Sequence, residues 1–332
     1  MGNQKLDVVD DFRYLGVIFN YNASFSKCRN TLSKSATKAM FFVLKKIREM
    51  SLDVETSFQL FDSMVKPILL FSSDVWGYED ISIIEKVHLT FCKYIFGLNR
   101  STPNIMVYGE TGRYPLYIEM TKRVIKFWCK LVNGRETMSQ KMYQMLFNMH
   151  MLSGSTNKWL AFVKSTLENC GMAEIWLNQL ADIHYIPELV NQRLKDQFIQ
   201  KWHVDVWNSP KALIYRHIKC AFRPEEYIFK LPDSMRIILC RFRCSNHKLQ
   251  IELGRHTRTP REERICDKCT SDKIGDEFHF ILECPFYQNL RNQFIPQYYH
   301  INPNLDKLNK LFNSSILITR KLCKFIKKAH PR

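Results

Sequence analysis

Apolar positions recur along most of this chain at helical spacing. Between Ser26 and Arg48, the residues Leu32, Ala36, Met40, Val43 and Ile47 share one face. Lys27, Lys34, Lys38, Lys45 and Arg48 form a single stripe on the other face, candidate phosphate contacts or a solvated face. The same reading predicts a helix over Val54 to Phe71, kinked by Pro67, and another over Ile81 to Phe96. Trp76-Gly77-Tyr78 between them reads as a turn. Gly97 to Leu116 reads as a loop whose Pro115 starts the next helix. Tyr117 to Val132 turns Ile118, Val124, Ile125, Trp128 and Leu131 inward, and Met138 to Met151 is a Met-rich helix expected to fill core.

Further on, Ser153 to Asn157 has linker composition. Helices are expected over Trp159 to Cys170, Ala173 to Asp182, Pro187 to Trp207, Pro210 to Phe222 and Ser234 to Cys244, the last capped by Asp233. One more follows Cys284, a penultimate segment starts at Asn302-Pro303, and Ile316 to Ala329 is the last helix. Only the start departs from this period. The short runs Asp7 to Val9 and Phe12 to Phe19, separated by Asp10-Asp11, predict a small β-hairpin.

Composition fits that picture. A chain of 332 residues with 45% hydrophobic and 13% aromatic residues can bury a sizeable core and is globular, not disordered. Its formal net charge of +17 is most simply offset by a polyanion, so the RNA or DNA backbone is the expected partner. An odd number of cysteines, 11, placed mostly in apolar helical patterns argues for a reducing compartment without disulfides. Met1 to Lys5 is polar and no apolar run approaches the length of a membrane span. The expected location is therefore intracellular, nuclear or cytoplasmic, with no membrane contact.

The most specific chemistry lies near the carboxyl end. Cys266, Cys269, His279 and Cys284 stand in the order Cys-x2-Cys-x9-His-x4-Cys. Three thiols and one imidazole at this spacing match a closed tetrahedral site for one structural zinc ion, with no open position for water. Asp272, Gly275 and Asp276 make the intervening loop turn-rich. From Arg236 to Arg264 there are eight basic residues against three acidic ones, a plausible nucleic-acid surface. Arg241, Arg243, Lys248, Arg255 and Arg264 are its candidate contacts. Cys240 and Cys244 read as helix residues beside the loop and not as extra ligands. From Lys307 to Arg332 there are eight basic residues and no acidic one, a tail suited either to phosphates or to solvent.

These residues carry a resemblance. Arg241-Phe242-Arg243-Cys244 through His247 and Leu249, Glu252-Leu253-Gly254-Arg255, Arg264-Ile265-Cys266, Asp276 to Phe280, Cys284-Pro285 and Tyr287 resemble the zinc-binding segment behind the reverse transcriptase of non-LTR (LINE-type) retrotransposons. Gly109 to Leu116 is similar to the region after the thumb of these enzymes, and Phe12 to Val17 to the segment that closes their palm. The resemblance implies five stretches: a palm-edge hairpin over 1–25, a thumb-like helical domain over 26–152, a helical scaffold over 153–235, the zinc-binding module over 236–300 and a basic C-terminal helix over 301–332. It also implies a reverse transcriptase palm domain as a partner.

The expected fold is thus mainly α, a multi-helix scaffold with a short N-terminal β-hairpin and a small C-terminal CCHC zinc module. Reverse transcription needs metal-binding carboxylates. Asp10-Asp11 lacks the aromatic and alanine that precede the family's pair and reads as a turn. Asp306 is the sole acid after Cys284, so no nuclease centre is expected either. The expectation is a non-catalytic nucleic-acid-binding remnant with a structural zinc. The alternatives are a zinc-stabilised protein–protein adaptor, or a fragment of a full RNA-directed DNA polymerase.

Overall fold

A computed structural model describes residues 8–134, 137–153 and 157–329. The chain is mainly helical, with one two-stranded antiparallel sheet at its start. It forms two compact units that interleave along the sequence. Unit 1 comprises Met1–Leu52, Phe58–His88 and Tyr114–Phe198, and unit 2 comprises Asp53–Ser57, Leu89–Arg113 and Ile199–Arg332.

In unit 1 the strands β1 (Asp11–Tyr14) and β2 (Val17–Asn20) pair with Phe12 opposite Phe19. The hairpin spans Asp11 to Asn20, so both strands come from the Phe12–Phe19 run and its two flanking residues, not one from each side of Asp10-Asp11. The reversal is made by Leu15 and Gly16, both with positive φ (44° and 89°), as a tight hairpin turn requires. Asp11 is accordingly a strand residue, where a turn was expected; it binds Lys27 and accepts from Asn20 Nδ2 at 2.7 Å. The Ser26–Glu49 helix follows, burying Leu32, Ala36, Met40 and Val43 as its periodicity predicts. Ahead of Pro67 the helical path widens into a π turn at Phe61–Val65. Proline has no N–H to give and its ring crowds the carbonyl four residues back, so one wider turn accommodates it.

The core of unit 1 gathers on the Leu116–Val132 helix, where Trp128 packs against Trp176 and donates to Tyr143 Oη at 2.8 Å. The Met-rich helix, Met138–Ser153, buries Tyr143 in this core. Its methionines turn the other way: Met138, Met142, Met145 and Met149 are all more than half exposed. The expectation of core filling fails there because the aromatic side of the same helix supplies the packing face. Most of the linker-like Ser153 to Asn157 stretch lies outside the described residues.

Unit 2 differs more from the sequence pattern. Residues Asn104–Thr111 are a helix inside the expected loop. Gly109 is needed there for close approach, since a Cβ would come within 2.6 Å of the Trp202 ring. Only Tyr215–Ile218 is helical within the expected Pro210 to Phe222 helix; in unit 1, likewise, Ala173–Leu177 is the helical part of Ala173 to Asp182. An unanticipated helix spans Gln250–His256. Asp233 begins its helix after Pro232, not as the cap, and pairs with Arg236 at 2.9 Å. The last helix is Ile316–Ala329 as predicted. No helix among the described residues is long and apolar enough to cross a membrane.

Candidate metal centre

The four predicted ligands converge within unit 2. The Cys266, Cys269 and Cys284 sulfurs and a His279 ring nitrogen all lie within 4.8 Å of one another. Cys266 Sγ is 3.9 Å from Cys284 Sγ, and Cys269 Sγ is 3.3 Å from His279 Nε2. His279 and Cys284 are buried, while Cys266 and Cys269 are half-buried. One cation placed among them would be touched by all four.

Local backbone structure brings these side chains together. Cys266 N–H donates to Lys273 O at 2.9 Å and Gly275 N–H to Arg264 O at 2.8 Å, closing the first loop on itself. Asp272, with φ 49°, makes the reversal between them. The second pair sits on a π turn, His279–Glu283, closed by Cys284 N–H donating to His279 O at 2.8 Å. Positions five apart in an α-helix differ by about 140° around the axis, which would separate His279 from Cys284. A π turn closes from i to i+5 and puts both on one side. Asp276 Oδ1 accepts from His279 N–H at 3.0 Å and so fixes where that turn begins.

Around the ligands the polar groups are organised. His279 Nδ1 is buried without a hydrogen-bond partner among the described residues, with Glu283 Oε2 3.5 Å away. Arg291 is completely buried and donates to Ile281 O at 2.7 Å and Cys284 O at 2.8 Å. Its planar fork holds the carbonyls of the π turn. Nothing in the Cys/His spacing announces this role, since Arg291 reads in sequence as one more basic residue. Burial pushes the Cys284 thiol up to about 12. Burial also pushes Cys269 up, but hydrogen bonds with Ser271 and His279 bring its thiol down to about 6. Thiols crowded this way ionise together only beside a cation.

The basic candidates have divergent fates. Lys27, Lys34, Lys38, Lys45 and Arg48 project from the outer face of the Ser26–Glu49 helix, although Lys27 pairs with Asp11 and Lys45 lies 3.7 Å from Glu49. Near the metal ligands only Lys248 among the candidates is exposed. Arg241 Nε donates to Gly97 O. Arg255 is held by Glu252 at 2.8 Å and Pro210 O at 2.7 Å. Arg264 donates to Thr259 O at 2.9 Å and Ile251 O at 3.0 Å.

Arg243 does not face solvent at all. Its guanidinium is 3.0 Å from Glu110 Oε2, with both side chains 0% exposed. Tyr227 Oη also donates to Glu110, and Glu225 lies 3.4 Å from Arg243. Burial pushes the Glu110 carboxyl up, but Arg243 and Lys219 hold it below the ordinary carboxylate range. A charge so enclosed cannot reach a phosphate, so Arg243 is a core residue and not a nucleic-acid contact. Cys240 and Cys244 are buried and stand outside the ligand group.

Fold and site together define a mainly helical protein with a four-ligand Cys/His module able to hold one metal ion. No family model, curated protein or solved structure matches this chain.

Proposed function

We propose that this chain is a non-catalytic nucleic-acid-binding protein whose Cys266, Cys269, His279 and Cys284 hold one structural zinc ion. The observation that carries the reading is the ligand geometry. A tetrahedral zinc with sulfurs at about 2.3 Å sets its sulfur–sulfur edges near 3.8 Å and its sulfur–nitrogen edges near 3.6 Å. The 3.9 Å and 3.3 Å separations lie close to both. Three thiolates and an imidazole favour zinc over magnesium or calcium, which take oxygen ligands. Four protein ligands fill the shell, so the ion ties the loop to the helices instead of activating water.

The nucleic-acid part rests on the net charge of +17 and on outward-facing lysines such as Lys34 and Lys38. These neutralise phosphates by releasing counterions and read no bases. The resemblance to the thumb and zinc-binding region of non-LTR retrotransposon reverse transcriptases supports the same role: to hold an RNA or DNA backbone beside a palm domain. Affinity of the purified protein for a labelled duplex, followed against salt concentration, tests it. The expected result is a steep, linear fall of log affinity with log salt. A flat titration contradicts it, and incorporation of nucleotides into a primed template above the buffer control contradicts the absence of catalysis.

A further inference from the structure

We infer that the exposed face of the last helix, Ile316–Ala329, is a phosphate-backbone contact surface for nucleic acid, formed by Arg320, Lys321, Lys324, Lys327 and Lys328. The inference rests on the nucleic-acid reading above and moves its centre away from the arginines before the metal loop. All five cations are exposed, and among the described residues none is in an ion pair. The opposite face buries Thr319, Leu322, Cys323, Phe325 and Ile326, so the helix presents its cations from a fixed support. It packs on the Asp233–Arg243 and Gln288–Phe294 helices. Phe325 meets Phe280 and Tyr287, with ring centroids 5.4 Å and 6.3 Å away. Phe280 directly follows the ligand His279, so the metal module and the basic face share one aromatic core.

Helix physics alone does not explain this charge. Cations in the last turn are favoured by the helix macrodipole, which accounts for Lys327 and Lys328. The effect fades within that turn and leaves Arg320, Lys321 and Lys324 unexplained. Like charges four apart, such as Arg320 with Lys324 and Lys324 with Lys328, destabilise a helix. Lys45 has Glu49 at that spacing, whereas Lys34 and Lys38 repeat the like-charge spacing on the Ser26–Glu49 helix. From Arg320 to Lys328 the face spans about 12 Å, alongside which a duplex presents about seven phosphates. An anionic membrane surface is disfavoured as the occupant: a helix lying in a bilayer interface needs its apolar side free, and here that side is buried.

The test compares the triple variant R320Q/K321Q/K324Q with the parent and with K34Q/K38Q/K45Q. Each is titrated with a labelled DNA duplex and a single-stranded RNA over a range of salt, after thermal melts establish folding. Loss of three phosphate contacts lowers duplex affinity about 500-fold at 0.1 M salt and reduces the slope of log affinity on log salt by about 2.7. Parent-like affinity and slope in R320Q/K321Q/K324Q overturn the inference. If salt-dependent binding is then lost only in K34Q/K38Q/K45Q, the broader reading stands without this surface; if the parent shows no salt-dependent binding, both fall. Tighter binding to phosphatidylserine-containing vesicles than to either nucleic acid also overturns it.

Discussion

Two regions of this protein are rich in cations in sequence and opposite in use. In the approach to the metal loop, Arg241, Arg255 and Arg264 donate to backbone carbonyls, and Arg243 is sealed against Glu110. On the Ser26–Glu49 helix, Lys34 and Lys38 point outward. A guanidinium offers five donors in a rigid fork and is weakly hydrated, so it can tie loops from within. An ammonium is strongly hydrated and stays in water. Where loops must be held without regular secondary structure, arginine replaces the missing ladder. Where a helix already satisfies its own backbone, the cations stay in solvent.

The largest effect that could break this contrast lies at the metal ligands. Cys269→Ser should abolish stable metal binding and unfold the loop around Cys266 to Cys284. Structural zinc contributes about 10–16 kcal/mol in small modules. Metal analysis together with near-UV circular dichroism reads the outcome. An unchanged zinc content would contradict a four-ligand site.

Next comes the buried pair. Arg243→Met leaves Glu110 charged and enclosed and should cost about 3–5 kcal/mol in a urea titration. The double variant Glu110→Gln with Arg243→Met should recover part of that loss. A single variant as stable as the parent would mean that Arg243 is not the core residue described here. Arg291→Lys keeps the charge but loses the fork that reaches the carbonyls of Ile281 and Cys284. It should lower zinc affinity about 10–100-fold, measured by chelator competition. The smallest stability effect belongs to K34Q/K38Q/K45Q, within about 0.5 kcal/mol of the parent. A change well above that would show these lysines to be structural.

Much of this architecture was legible from residue order, and the illegible parts share a cause. The Ser26–Glu49 and Ile316–Ala329 helices follow from their own apolar period, because each buries a single stripe. The ligand set was legible because its chemistry is written within 19 consecutive positions, Cys266 to Cys284. Glu110 and Arg243 are 133 positions apart, so no local pattern could pair them or reveal that both are buried. Gly109 lies in a phrase that reads as a loop, but packing against Trp202 selects glycine inside a helix. The Met-rich helix misled because methionine suits a core as well as a surface. The hairpin moved because Leu15-Gly16 is a weaker turn signal than Asp10-Asp11, although the strand pairing chose it.

The claim on which the rest depends is that one metal ion sits among four side chains near the carboxyl end. Elemental analysis of the folded, chelator-washed protein by mass spectrometry tests it most directly. One zinc per chain is the predicted result. A fully folded protein with neither zinc nor any other transition metal would contradict it.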